Sequence, residues 1–442
     1  MNLRIIIIFL FFACQNGFAQ DGFRFDTDKN KVVIPFKLIN NLIFIPINVN
    51  GVELNFLLDS GVEETILLSL EDKTEVSLNN VEKIKLKGLG ANEAIEGLKS
   101  SGNILKINEL KDFNHELYIV LDQDFNFSSH VGIPVNGIIG YHFFKNQIVE
   151  VNYDRKKIFV YKDKTNISNK LASKFQVIPM QIQKQKPYCN SIVTINDNKL
   201  EAKVLLDLGN SDALWLFQDV NPLIKVPKRN FEDYLGKGFS GEIHGNRAKI
   251  ETLKIGNFEF KKPIVAMPDT ISVKSVNMVQ DRVGSIGGEI MKRFTAIFDY
   301  QESKLYLKKS GKFGEPFQYN RCGIEIASSG MQWVSETIKF QTTYQDNTFD
   351  ASGNKAGSAN FKYKFELKPI YEITNIRKNS PAIEVGLQKG DILKTINYHS
   401  VNSMSLSEIN NLLKSEEGKW LNFEVERNGQ NLNFRFQIKE LL

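Results

Sequence analysis

Asn50-Gly51-Val52-Glu53-Leu54-Asn55-Phe56-Leu57-Leu58-Asp59-Ser60-Gly61 and Asn198-Lys199-Leu200-Glu201-Ala202-Lys203-Val204-Leu205-Leu206-Asp207-Leu208-Gly209 are two copies of one pattern. Each reads as a turn, an apolar strand and then Asp-x-Gly. The likeness continues downstream. Gly137-Ile138-Ile139-Gly140 leads into Val149-Glu150-Val151-Asn152-Tyr153 and Lys157-Ile158-Phe159-Val160, while Gly284-Ser285-Ile286-Gly287 leads into Ala296-Ile297-Phe298-Asp299-Tyr300 and Lys304-Leu305-Tyr306-Leu307. Gly140 stands 81 positions after Asp59 and Gly287 stands 80 after Asp207, so the two copies are equal in length. A period this long lies outside the solenoid range, and two copies alone imply paired domains about a pseudo-two-fold axis. The polar segment 165–174 is the expected linker between them.

The surrounding sequence also reads as strands. Leu42-Ile43-Phe44-Ile45-Pro46-Ile47-Asn48-Val49 is short, β-branched and bounded by turn residues, and helical periodicity is scarce before Ser405. The fold class is therefore mainly β. A chain of 442 residues with 42% hydrophobic and 24% charged residues has an ordinary globular balance and room for about two to four domains. Its net charge of +5 is spread among mixed Lys and Glu, so the basic footprint of a nucleic-acid binder is missing.

At the start of the chain, Arg4, the apolar run Ile5 to Ala13 and the small residues around Gly17-Phe18-Ala19 read as a cleaved export signal over residues 1–19; an uncleaved anchor is the alternative. No later run reaches the ~20 apolar residues of a spanning helix, so no integral membrane segment is expected after cleavage. Phe11-Phe12-Ala13 before Cys14 departs from the Leu-and-small-residue pattern of bacterial lipoproteins, so lipidation at Cys14 is not expected. The mature chain is expected in the periplasm, the cell envelope or the medium. Cys189 and Cys322 are too few for a disulfide framework, and a single bridge between them stays open.

Hydrolysis of a peptide by water requires a base to activate the water and an acid to protonate the departing amine. Two carboxyl groups held together can serve as both, because like charges at close range cannot both ionise and their pKa values split. A two-fold pair of lobes would deliver one carboxylate each. The loops here resemble those of the aspartic peptidase clan, with its strand-Asp-Thr/Ser-Gly turn and later apolar-apolar-Gly element. The resemblance covers residues 30–310 in two copies. It implies two pseudo-symmetric β lobes, 20–164 and 175–312, with Asp59 and Asp207 as the catalytic pair. Ser60, Gly61, Gly209 and Ser211 would support the loops, and Gly140 and Gly287 would form the turns behind them.

Two departures from the family pattern stand out. Leu208 occupies a position where Thr or Ser is expected and cannot donate a hydrogen bond across to the first loop, and Val62-Glu63 follows Gly61 where a small residue and then Ser or Thr are usual. The family also places a hairpin flap over its cleft, for which Gly88-Leu89-Gly90 to Gly102 and Gly236 to Gly245 are the candidates. The second spells Gly-x-Gly-x-x-Gly over Gly236 to Gly241, but it neither follows a buried strand nor opens a helix, so nucleotide binding is not expected.

From Tyr371 the chain runs through Ile373-Thr374-Asn375-Ile376, Ser380-Pro381-Ala382, Gly386-Leu387, Gly390-Asp391-Ile392-Leu393 and Ile396-Asn397. These residues resemble the core of a PDZ domain, which implies an α+β domain over 313–442 with an insertion near 340–362. Ser405 to Lys414, behind a Ser405/Glu408 capping-box pattern, would be the groove-lining helix. By that resemblance Gly323 and Ile324, with Ile409 and Leu413, would receive an extended or C-terminal peptide. The five histidines are scattered as surface or loop residues without ligand spacing, so no metal or other cofactor is expected. The expected partners are a polypeptide substrate and a PDZ ligand. The expected activity is aspartic endopeptidase, with a catalytically inactive peptide-binding protein as the alternative that Leu208 favours.

Overall fold

The computed structural model describes residues 22–68, 75–86, 95–121, 127–238, 241–274, 278–339 and 361–442. The expected export signal, Cys14, Gly88-Leu89-Gly90 and most of the insertion near 340–362 lie outside the described residues. Among the described residues no helix is long and apolar enough to cross a membrane.

Strand β1 (Val52–Leu58) turns back from Leu42–Val49 through Asn50 and Gly51. Their φ angles of 49° and 99° are the left-handed pair that a two-residue hairpin turn needs. The apolar end of β1 lies parallel to β2 (Gly137–Ile139), with Leu58 opposite Ile139. The short strand Ile66–Leu67 closes on the other side of β2. Helix α1 (Phe127–Val131) precedes β2, and α2 (Tyr141–Phe144) follows it.

The second lobe repeats this arrangement. Strand β3 (Asn198–Leu206) is followed by a hairpin of β4 (Asn230–Gly238) and β5 (Gly241–Lys249), then by β6 (Arg282–Ile286) and α3 (Gly288–Met291). β6 runs parallel to β3, with Ile286 opposite Leu206, and antiparallel to Leu214–Leu216. The hairpin turn before β3 is Asn196-Asp197, at φ 50° and 62°, rather than Asn198-Lys199. The second Asp strand is therefore two residues longer than the first.

The lobes are joined by a shared antiparallel sheet in the order Gln176–Gln183, Lys304–Lys309, Phe294–Asp299, Ile148–Asn152, Lys157–Tyr161, Lys31–Pro35. Its middle pairing, Glu150 opposite Ile297, crosses from one lobe to the other. One continuous apolar core runs through both lobes, from Phe23 to Leu307. The expected linker is largely a helix, Ser168–Lys174, whose Leu171 packs with Ile167 on Ile148, Phe159 and Ile297 of the shared sheet.

The last domain has its own core. Strands β7 (Ile324–Lys339) and β8 (Phe361–Ile376) form a long ribbon, followed in the sheet by Ile392–Ile396, Trp420–Arg427 and Gln430–Gln437. Helix α4 (Leu406–Leu413) begins at the capping box read from the sequence: Ser405 Oγ accepts from the Glu408 amide, and the Glu408 carboxylate accepts from the Ser405 amide. Cys322 is buried in this core and Cys189 in the core of the lobes, and both are free thiols, so no bridge joins them.

Candidate active site

Each aspartate stands where its strand ends. The Asp59 amide donates to Ile139 O at 2.8 Å and the Asp207 amide to Ile286 O at 2.9 Å, so both residues are the last to be held by the parallel pairs. Each carboxylate then accepts from the amide two residues on, Asp59 Oδ1 from Gly61 at 2.7 Å and Asp207 Oδ1 from Gly209 at 3.2 Å. The two carboxyls both adjoin Gly61.

The glycines follow from that closeness. A Cβ at Gly61 would lie 3.1 Å from an oxygen of both Asp59 and Asp207, and one at Gly209 would come within 2.2 Å of the Asp59 carboxylate. Behind them, a Cβ at Gly140 would meet Asp59 O at 2.2 Å, and one at Gly287 would meet Asp212 O at 2.3 Å. Only residues without a side chain allow loops and carboxylates to pack this tightly.

Ser60 is fully buried and makes the cross-loop contact alone. Its hydroxyl donates to Leu206 O at 2.6 Å and accepts from the Leu208 amide at 3.0 Å. Leu208 packs into the apolar core instead and returns no such bond. Ser211 contributes its carbonyl, which accepts from Asn41 Nδ2 of the first lobe at 2.8 Å.

Burial holds both carboxyls above the usual range, and the neighbouring Asp207 charge raises Asp59 further. Two cations act in the other direction. Arg282 at the start of β6 favours the charged form of Asp207, and Lys186 does so for both aspartates. Lys186 is paired with Glu63 at 3.1 Å, which gives a role to the residue that departs from the family pattern after Gly61. Arg282 acts on Asp207 and not on Asp59, so the surroundings of the pair are asymmetric, while the shared proton belongs to the pair.

Several functional neighbours carried no sequence signal. Asp212, just past the second loop, accepts from Trp215 Nε1 and Arg247 Nη1, each at 2.7 Å, and Arg247 Nε reaches Asp233 on β4 at 2.6 Å. The expected second flap is thus pinned at its base to the Asp207 loop, and it is a hairpin in its described part, Phe239 and Ser240 lying outside the described residues. His115 is not a surface residue. It is 1% exposed, with Nδ1 2.7 Å from Asp112 Oδ2 and Nε2 2.7 Å from Thr65 Oγ1. This group resembles a nucleophile-histidine-acid relay, but Thr65 is fully buried and no substrate could reach it. It anchors the chain that follows Asp59.

In the last domain, Gly323 has a φ of 78° and a Cβ there would overlap Ser380. Ile324, Ile409 and Leu413 are all buried within the domain core.

Residues 45–143 match the family model of aspartyl proteases, and residues 355–438 match that of the PDZ domain. No curated protein matches the chain in sequence. Among solved structures, an aspartic proteinase from Irpex lacteus is similar at a TM-score of 0.42 and 10% identity, over 64% of this chain and 99% of that one. The fold is mainly β, with the aspartyl protease match confined to the first lobe and the PDZ match to the C-terminal domain.

Proposed function

From a chain that joins an aspartyl protease segment to a PDZ domain, we propose an exported aspartic endopeptidase in which Asp59 and Asp207 activate one water molecule. The observation that carries this reading is the approach of the two carboxyls across the pseudo-dyad, each backed by its own glycine amide. The ionised member of the pair takes a proton from the water as it attacks the scissile carbonyl carbon. The protonated member donates to the leaving nitrogen, and the C–N bond breaks to give an acid and an amine. The PDZ domain would bind extended polypeptide beside this cleft. Export to the periplasm, envelope or medium rests on the Arg4 to Ala19 pattern.

The test is direct. Purified residues 20–442 should cleave an unfolded protein, and Asp59→Asn or Asp207→Asn should abolish cleavage while leaving the circular dichroism spectrum unchanged. Cleavage that survives both substitutions defeats the assignment. The one-sided Ser60 contact favours a second reading, an inactive relative whose peptide-binding domain is the working part. Wild-type protein that binds peptide and cleaves nothing would select it.

A further inference from the structure

We propose that the peptide groove of the PDZ domain is turned onto the body of the two lobes and closed by it. A polypeptide C-terminus then enters only when the domain lifts, and lifting frees the second Asp loop. The groove closure concerns the docked surfaces alone, while the effect on the loop rests on the peptidase reading above.

The groove would lie between β7 and α4, and the body meets it at both ends. At one end α1 packs along β7, and Gly132 in the turn after α1 lies on Leu406, the first residue of α4. A Cβ at Gly132 would stand 2.8 Å from the Leu406 Cβ. At the other end Lys414, which caps α4, lies in the field of Glu289, Lys292 and Asp212 of the second lobe. Glu325 on β7 faces Asp233 and Arg247 of the β4–β5 hairpin.

The loop that would receive a carboxylate is also engaged. The Arg321 amide donates to Leu413 O at 3.0 Å and the Gly323 amide to Asn320 Oδ1 at 2.9 Å. Arg377 holds the same loop: its amide donates to Gly323 O at 2.7 Å and its Nη1 to Asn320 O at 3.0 Å.

That guanidinium also faces the body. It lies over the Phe231 ring, 4.1 Å from the centroid, and Nη1 is 3.7 Å from Asp233 Oδ1. Asp233 binds Arg247, which binds Asp212, five residues beyond Asp207. The Arg377 side chain is 3% exposed and its buried Nε has no partner among the described residues. A series of charged contacts therefore runs from the PDZ loop to the second Asp loop, and a ligand that rearranges residues 320–323 must disturb it.

Two engineered forms of the full mature chain test this. Lys249→Glu with Lys378→Glu places like charges against Glu440 and Glu232 and should open the docking. Glu232→Cys with Lys378→Cys, joined by a short bismaleimide, should hold it shut, and Cys189 and Cys322 are buried away from the reagent. The probe is a fluorescent decapeptide ending in Val with a free carboxylate, with its C-terminal amide as control.

Binding of the acid probe should be about tenfold or more tighter to the charge-reversed chain than to wild type, as expected when a closed state dominates. The linked chain should bind neither peptide. The acid probe should change kcat on an unfolded substrate for wild type but not for the linked chain. Equal binding by linked and wild-type chains, or no binding by the charge-reversed chain, overturns groove closure. Probe binding that leaves wild-type kcat unchanged overturns the link to the Asp loop. Absence of cleavage in all forms with the binding order intact overturns only the peptidase reading.

Discussion

Ser60 and Leu208 occupy equivalent places and behave differently, and the chemistry of one hydroxyl accounts for the difference. Ser60 satisfies both Leu206 O and the Leu208 amide, so Ser60→Ala would strand two buried backbone groups. The expected loss is about 2–3 kcal/mol of body stability, read by urea unfolding. The dyad makes a separate prediction in pH. Burial and the closeness of the two carboxyls hold the shared proton on well above the usual carboxylate range, so on the proposed mechanism cleavage should persist past that range and fall once the pair loses its proton at higher pH. On the same mechanism the acid limb marks the loss of the pair's one charge, which Arg282 favours through Asp207. Arg282→Gln removes that help and raises the Asp207 pKa, so the acid limb of the kcat/KM profile should move to higher pH while the alkaline limb stays. An unmoved acid limb would show that Arg282 does not set the charge on Asp207.

At the level of elements, the duplicated pattern was legible because each copy repeats a period-two strand, a turn and a glycine that local sterics require. The strands β1, β2, β3 and β6 and the capping box at Ser405 all follow from such short-range rules. The Asn196-Asp197 turn was misplaced by two residues because Asn198-Lys199 aligns with Asn50-Gly51 when the copies are matched on Asp, although β3 is longer. His115, Arg247, Asp233 and Arg377 were not legible, since their partners lie on other elements and nothing local marks a buried ion pair. The helix within the segment 165–174 was not legible for the same reason: its polar composition hides Leu171, which packs on the shared sheet. Leu171→Ala should therefore cost the lobes about 2–4 kcal/mol. The PDZ domain, with its own core, should keep its calorimetric transition while that of the lobes moves down.

For the whole molecule, the question is what holds two separately cored bodies together, and charged and apolar contacts both cross the surface between them. Across the docking surface Lys249 pairs with Glu440, Arg377 with Asp233 and Lys378 with Glu232, beside an apolar patch of Ile264, Tyr319 and Leu442 in which the Phe231 ring meets that of Tyr319. Within it Glu325 faces Asp233, Arg247, Lys414 and Arg377, and burial, then the Asp233 charge, push its carboxyl up to about 7. Once the domain lifts, Glu325 meets water and returns toward the ordinary value of 4.5. A carboxyl whose pKa is raised on docking favours the docked state fully below the undocked value. That contribution is lost as pH rises through the docked value. Docking should thus weaken between about pH 4.5 and 7, by at most about 3 kcal/mol for a shift of this size. In X-ray scattering the radius of gyration should grow from pH 5 to 8 for wild type, while Glu325→Gln, which carries no titrating proton there, should give a flat profile. An equal expansion in Glu325→Gln would place the pH response elsewhere on the docking surface.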